Sequence, residues 1–351
     1  MTEQNFISEF PYNFVEKGEV QAQCSSNIAL VKYWGKYANQ IPANPSISYT
    51  LTNSCTQTSI QFEKAEKMSV KVFLDEVLQE KFAEKIEKYF NSIQKYLPFI
   101  TQYQYVIRTH NSFPHSSGIA SSASGFGAIA LCLIEIAEQL GEVFPSEMKK
   151  RKASFLARLG SGSACRSLYG GLAVWGKHEK IHESSDLYAV PFPFEIHENF
   201  KKIQDTVLLI HEGEKKVSST VGHKLLENHP YAQVRFAEAY KNLASMIDIL
   251  RSGDLEAFGQ LVEHEALTLH AMMLTSTPAF ILMKPMTVAA IEKIWNYRKL
   301  TGQPLYFTLD AGANIHLLYP EKDKNVIFNF IKNDLLKYTE NGDYIRDESR
   351  L

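Results

Sequence analysis

The stretch "FPHSSGIASSASGFGA", Phe113 to Ala128, gathers five serines and three glycines within a few turns' length of chain. The residues that follow are apolar at Ile129, Ala130, Leu133, Ile134, Ala137 and Leu140. This three- and four-residue spacing marks a helix face packed on a core. The spacing predicts a helix beginning near Ala120, with Ser121, Ser122 and Ser124 in its first turn and Gly118 just before it. A helix start leaves its first N–H groups without intrahelical partners and carries a partial positive charge. Small side chains keep those groups within reach of an anion, and hydroxyls add donors or a magnesium ligand. Taken alone, the stretch also fits a plain Ser cap with small residues for close helix packing. The P-loop pattern is absent. A G-x-G-x-x-A match at Gly125, Gly127 and Ala130 falls inside the predicted helix, where it cannot form the strand-to-helix turn of a dinucleotide site.

At 351 residues the chain has room for two domains. The proline-bearing segment "VPFPFEIHENFKK", Val190 to Lys202, divides it into an expected 1–200 and 201–351. With 45% hydrophobic and 22% charged residues it reads as a soluble globular protein. A net charge of -2 leaves no overall basic field for nucleic acid or an anionic membrane. No apolar run is seen to approach a membrane span, and Met1 to Val20 lacks a secretory h-region, so a cytoplasmic location is expected. Cys24, Cys55, Cys132 and Cys165 form no C-x-x-C pair and are expected to be reduced and buried. Strands are expected over 20–33, 46–62, 103–108, 171–175, 206–210, 306–309 and 315–318. Helices are expected over 81–96, 120–140, 145–159, 230–252, 255–273, 288–300 and 325–336. Strands and helices mix in both halves, so the fold class is α+β. His264 and His270 are six apart on one helix, which does not bring them to one face as a metal pair.

Three further stretches carry chemistry. "NIALVKYWGKY", Asn27 to Tyr37, sets Lys32 and Lys36 beside Tyr33 and Trp34. "GSGSACRSLYGG", Gly160 to Gly171, is a second run of small residues with one fixed cation, Arg166. "FTLDAGANIH", Phe307 to His316, places Asp310 between an apolar strand and a glycine turn. Each alone also fits a structural role as a snorkelling lysine, a capping arginine or an Asx-turn aspartate. Together they supply a second anion site and a carboxylate able to orient or deprotonate a hydroxyl. "KKVSST", Lys215 to Thr220, adds cations and hydroxyls.

These motifs, in this order and joined by "IPANPSISYTL", resemble the diphosphomevalonate decarboxylase family. That family lies within the superfamily of galactose, homoserine, mevalonate and phosphomevalonate kinases. The resemblance covers nearly the whole chain. It implies an N-terminal domain like the second domain of ribosomal protein S5, a ferredoxin-like C-terminal domain, and a site in the cleft between them. It implies ATP and magnesium, a phosphorylated mevalonate as substrate, and a homodimer. Ser116, Ser117, Gly118, Ala120, Ser121, Ser122 and Ser124, with Lys215 and Lys216, then lie at ATP, with Ser121 at the metal. Tyr33, Lys36, Ser161, Ser163, Arg166 and Ser219 lie at the substrate, and Asp310, Arg166 and Lys36 do the chemistry. Ala313 stands where the family usually has proline, which implies a looser turn, and His223 stands where methionine is usual. His223 fits either a half-buried structural histidine or an extra phosphate contact. These departures leave open a monophosphorylated substrate. A kinase without decarboxylation, and a sensor without turnover, also remain; Asp310 beside an anionic ligand speaks against a pure binder.

Overall fold

The computed structural model describes residues 1–114, 119–211, 213 and 219–350, apart from the side chains of 219, 220 and 350. The first half is built on two long antiparallel strands, β1 (Lys17–Val31) and β4 (Ser46–Lys64), joined through the short hairpin β2 (Lys36–Tyr37) and β3 (Ile41–Pro42). Period-2 alternation explains β4. Thr56, Thr58, Ile60 and Phe62 turn inward, whereas Gln57 and Gln61 face solvent. Around this pair lie β5 (Ser69–Leu74), β6 (Val77–Leu78), β7 (Tyr103–Asn111), β8 (Leu172–Trp175) and β9 (Val190–Pro191). The order is β6-β5-β7-β4-β8-β9, with β1 along the length of β4. Register shifts at Ser25/Asn27 and Ala29/Val31 bend β1 as it approaches the cleft.

Helices α1 (Glu80–Ile93), α2 (Ser121–Gln139) and α3 (Ser146–Gly160) pack on this sheet or on one another. The serine-rich stretch thus does open a helix, α2, one residue after the expected start, and Gly125 and Gly127 lie within it. Gly127 allows close packing: a Cβ there would lie 2.4 Å from the sulfur of Cys24 on β1. Contrary to the sequence reading, α2 is long and apolar enough to cross a membrane, but most of its residues are buried in this core. All four cysteines are buried thiols.

The second half holds an antiparallel sheet of β10 (Lys202–Leu208), β11 (Tyr306–Thr308), β12 (Ile315–Pro320) and β13 (Tyr344–Arg350), in the order β11-β12-β10-β13. That is the ferredoxin-like order. Between β10 and β11 run α4 (Ser219–Lys224), α5 (Ala232–Ser252), α6 (Leu255–Leu274) and α7 (Pro285–Thr301), and α8 (Lys324–Phe330) precedes β13. The last helix is shorter than its apolar pattern predicts: after Phe330 it passes through a π turn and a 3-10 turn to Tyr338. The first hydrophobic core runs from Phe6 through Phe126 to Val207, Phe258 and Leu318, so residues of both sheets share it. A second core lies where α7 and α8 carry Ile291, Ile294 and Ile327 against Phe307 and Leu317.

Buried polar ties also join the sheets. Asp205 of β10 accepts from the Tyr49 hydroxyl of β4 at 3.2 Å and pairs with His316 Nδ1 of β12 at 2.9 Å. Asp347 of β13 accepts the backbone N–H groups of Thr52, Asn53 and Ser54, at 2.9, 2.9 and 2.6 Å, where β4 turns past it. Replacing Asp347 by Ala leaves these three donors, one of them on buried Ser54, and the N–H of Glu348 without this acceptor. Urea denaturation of Asp347→Ala should show a loss of about 3 kcal/mol or more; a loss below about 1 kcal/mol would mean water replaces the carboxylate without cost.

Candidate active site

A cavity of about 590 Å³ opens between the two halves. Its walls include Asn27, Lys32, Tyr33, Trp34 and Lys36 from the end of β1 and the segment after it, and the start of α2 from Ala120 to Ser122. Ser161, Ser163 and Arg166 from the second small-residue run, together with Asp310, close it. An apolar slot of Val72, Leu74, Phe82, Ile86 and Ile107 continues from the helix start.

The helix start is built to leave its N–H groups open. Its cap residue, Ala120, has no side chain able to accept from them and adopts a left-handed conformation with φ 36°. Ser122 Oγ lies 3.3 Å from Ser161 Oγ, so the two small-residue runs meet. Gly162 is required between them, because a Cβ there would lie 2.8 Å from the Tyr33 hydroxyl and from the Trp175 ring. That Tyr33 hydroxyl is buried with no hydrogen-bond partner among the described residues.

Arg166 is 2% exposed and is held by neutral acceptors. Its Nε donates to Ser48 Oγ at 2.9 Å, Nη1 to Ser46 Oγ at 2.5 Å and Nη2 to Asn27 Oδ1 at 3.4 Å. Burial pulls its pKa below the ordinary guanidinium value, while the Cys165 and Asp310 sites work against that fall. No carboxylate of a described residue forms an ion pair with it, so a cation sits buried beside a cavity with its charge unneutralised at close range. Such a site favours a bound anion.

Opposite lies Asp310. Its Oδ1 accepts from Lys32 Nζ at 2.9 Å; both line the cavity, but the lysine side chain is 2% exposed and the aspartate side chain 27%, so the carboxylate is the more open of the two. Helix α6 fixes both members. Glu265 Oε2 accepts the backbone N–H of Lys32 at 2.8 Å and is held in turn by Arg235 and Asn242. His270 Nε2 donates to the carbonyl of Asp310 at 3.1 Å. Thr287 Oγ1 donates to the carbonyl of Ala313 at 2.8 Å and the Gly312 N–H to that of Asp310 at 2.7 Å. The looser turn expected at Ala313 is therefore tied down by side chains.

Family models match 24–188, the diphosphomevalonate decarboxylase-like N-terminal domain, and 206–350, the mevalonate 5-diphosphate decarboxylase C-terminal domain. The mevalonate diphosphate decarboxylase of Staphylococcus aureus is 30% identical, with a TM-score of 0.81 over 95% of this chain and 96% of that one. The chain belongs to this decarboxylase family. The enzyme MDDEF, solved in complex with MVAPP, AMPPCP and magnesium, also gives a TM-score of 0.81, at 28% identity over 95% of this chain and 98% of that one. A phosphomevalonate decarboxylase of Haloferax volcanii is 28% identical over 82% of this chain and 84% of its own.

Of the residues the sequence singled out, Tyr33, Lys36, Ala120, Ser121, Ser122, Ser161, Ser163, Arg166 and Asp310 share the decarboxylase-family cavity. One expectation changes, and one lysine not singled out for the site joins it. Ser124 is fully buried and bonds to Thr56 Oγ1 at 2.6 Å, so its hydroxyl belongs to the core and not to the cavity. Lys36 bonds to Gln40 Oε1 at 2.8 Å on the cavity wall, and it is Lys32, four residues earlier, that meets the acid. Burial and nearby Lys85 lower the pKa of Lys36. Ser116, Ser117, Gly118, Lys215 and Lys216 lie outside the described residues; Ser219 opens α4, its side chain undescribed. Sequence reasoning passed over Asn27 and Glu265, and weighed His270 only as half of a metal pair. Asn27 and Lys32 stood inside a motif already chosen, whereas the other two lie in a helix with no motif.

Burial holds His270 down to about 4, against the bond to the Asp310 carbonyl. An unfolded histidine takes up its proton near pH 6.5, which the folded site refuses until about pH 4. Its stabilising contribution is complete above pH 6.5 and is lost as pH falls through that window. Between pH 7 and 4.5 the wild type should lose about 2 kcal/mol more stability in urea than His270→Gln; parallel losses would remove His270 from the acid response.

Proposed function

We propose that the chain catalyses ATP-dependent decarboxylation of 5-diphosphomevalonate to isopentenyl diphosphate, with ADP, phosphate and carbon dioxide as the other products. The observation that carries this reading is the convergence of Asp310, Arg166 and the uncapped start of α2 on one cavity. Three requirements of the reaction are met there: a seat for nucleotide phosphates, a cation for the second substrate and a carboxylate between them.

The N–H groups and hydroxyls at Ser121 and Ser122 suit the ATP phosphates, and the apolar slot beside them suits the base. Among the described residues no group of three His, Cys, Asp or Glu could hold a metal ion. The Ser121 hydroxyl would hold magnesium beside the phosphates, where the ion would supply charge neutralisation.

Asp310 takes the proton of the tertiary hydroxyl as that oxygen bonds to the γ-phosphorus and the bond to ADP breaks. Lys32 keeps the carboxylate oriented beforehand. The new phosphate ester then leaves with its C–O bonding pair. The pair of the carbon–carboxylate bond becomes the double bond, and carbon dioxide departs. Arg166, held by Ser46, Ser48 and Asn27, anchors the substrate carboxylate. Tyr33, Lys36, Ser161 and Ser163 hold its phosphorylated arm, so that reacting atoms are positioned and charge is met by groups already in place.

A second reading, decarboxylation of mevalonate 5-phosphate, is favoured by the equal identity of the Haloferax relative. A homodimer and a cytoplasmic location complete the proposal on family resemblance, and sedimentation of the purified chain tests the first of these. The deciding assay compares mevalonate 5-phosphate and 5-diphosphate side by side with ATP and magnesium, following phosphate and carbon dioxide. Greater kcat/KM with the diphosphate is expected; phosphate transfer without carbon dioxide would make the chain a kinase. Asp310→Asn should lower kcat by about 10²–10⁴-fold while ATP still binds, and Arg166→Ala should raise KM and lower kcat together. A near-normal rate in either variant removes that residue from the mechanism.

A further inference from the structure

One imidazole on the cavity wall is used neither by the acid nor by the helix start. His223 of α4 is 6% exposed and lines the cavity. Its ring centre lies 4.4 Å from that of Tyr33 and 4.7 Å from that of Trp34, so it is clasped between two aromatic rings and cannot turn freely. The backbone N–H of Gly35 meets its Nδ1 at 3.0 Å. A backbone N–H can only donate, so Nδ1 must hold a lone pair and the one ring proton must sit on Nε2. That Nε2 makes no hydrogen bond to any described residue. The charged group facing the ring is Lys36 of β2; the other titratable neighbour is the Tyr33 phenol, whose pKa burial pushes up. Burial and Lys36 hold His223 down to about 3. His223 is thus a neutral donor with fixed polarity at any ordinary pH.

We propose that the Nε2–H of His223 donates a hydrogen bond to an oxygen of the substrate's phosphorylated arm, making it a further substrate-binding residue. The arm is the fitting partner because Lys36 is the cation beside His223, while Asp310 with Lys32 marks the reacting end and Arg166 stands with Ser46 and Ser48. A neutral donor adds a charge-assisted bond to a phosphate without placing a second cation next to Lys36. The inference rests on the decarboxylase reading.

Two substitutions separate binding from scaffolding. His223→Gln keeps an N–H near the Nε2 position and gives up the acceptor for Gly35; His223→Asn keeps an acceptor near Nδ1 and gives up the outer donor. The expected result is a KM for 5-diphosphomevalonate raised about tenfold or more in His223→Asn and much less in His223→Gln, with the KM for ATP within about twofold in both. Equal damage in the two variants, damage in the Gln variant alone, or no change in either would overturn the contact. In ¹⁵N-labelled wild type, titration with 5-diphosphomevalonate should move the Nε2–H resonance of His223, and a stationary resonance at saturation overturns the proposal even if neither variant folds. Absence of turnover in the wild type would sink the decarboxylase reading instead, and the titration would still decide the His223 contact.

Discussion

The ion pair between Lys32 and Asp310 is the contact on which the cleft depends. It joins the end of the long first strand to the turn between β11 and β12, and so ties the two halves of the chain where they face the cavity. Its two members are unequal: the lysine is sealed from solvent and the carboxylate is partly open. Removing the acid would strand a buried ammonium, an arrangement that costs about 3–5 kcal/mol. Helix α6 makes the pairing reproducible, since Glu265 grips the main chain of Lys32 and His270, five residues on, grips that of Asp310. One rigid helix therefore sets the spacing between an acid and its cation from two different segments.

The rest of the cavity follows a different electrostatic plan, in which charge is left to be completed by the ligand. Among the described residues Arg166 has serine and asparagine oxygens but no carboxylate, and α2 begins on an alanine that cannot cap it. Both arrangements are less favourable empty than filled, because a buried cation and open helix N–H groups gain most from an anion. Part of the affinity for phosphates and a carboxylate is thereby built in during folding. Lys32, already neutralised by Asp310, stays out of that competition.

Features carried by local pattern were legible in the sequence. The alternation of β4 and the apolar spacing of α2 appear where read. What was missed depends on distant partners. Strand β13, "YIRDESR", looks like a charged tail because its buried positions are Asp347 and Ser349, and the partners that hold Asp347 lie on β4. Lys32 and Lys36 occupy one motif with the same chemistry. The difference between them is a turn: β1 ends at Val31, Lys32 stays inside, and Lys36 emerges on the hairpin. Ser124 was misplaced for a similar reason, since it lies only three residues beyond Ser121 but its hydroxyl is taken by Thr56 in the core.

The shared core limits how such a cleft can work. Val207, Phe258 and Tyr306 from the second half pack in the same cluster as Phe62 and Phe126 from the first. Hinging the halves apart would expose these side chains at about 25 cal/mol per Å² of apolar surface. It would also break the Asp205–Tyr49 bond and the three bonds of Asp347. A few hundred Å² so exposed would outweigh the gain from any one ligand hydrogen bond. The spacing between Asp310 and Arg166 is therefore a property of the folded frame, and a ligand of the cavity must adapt to it.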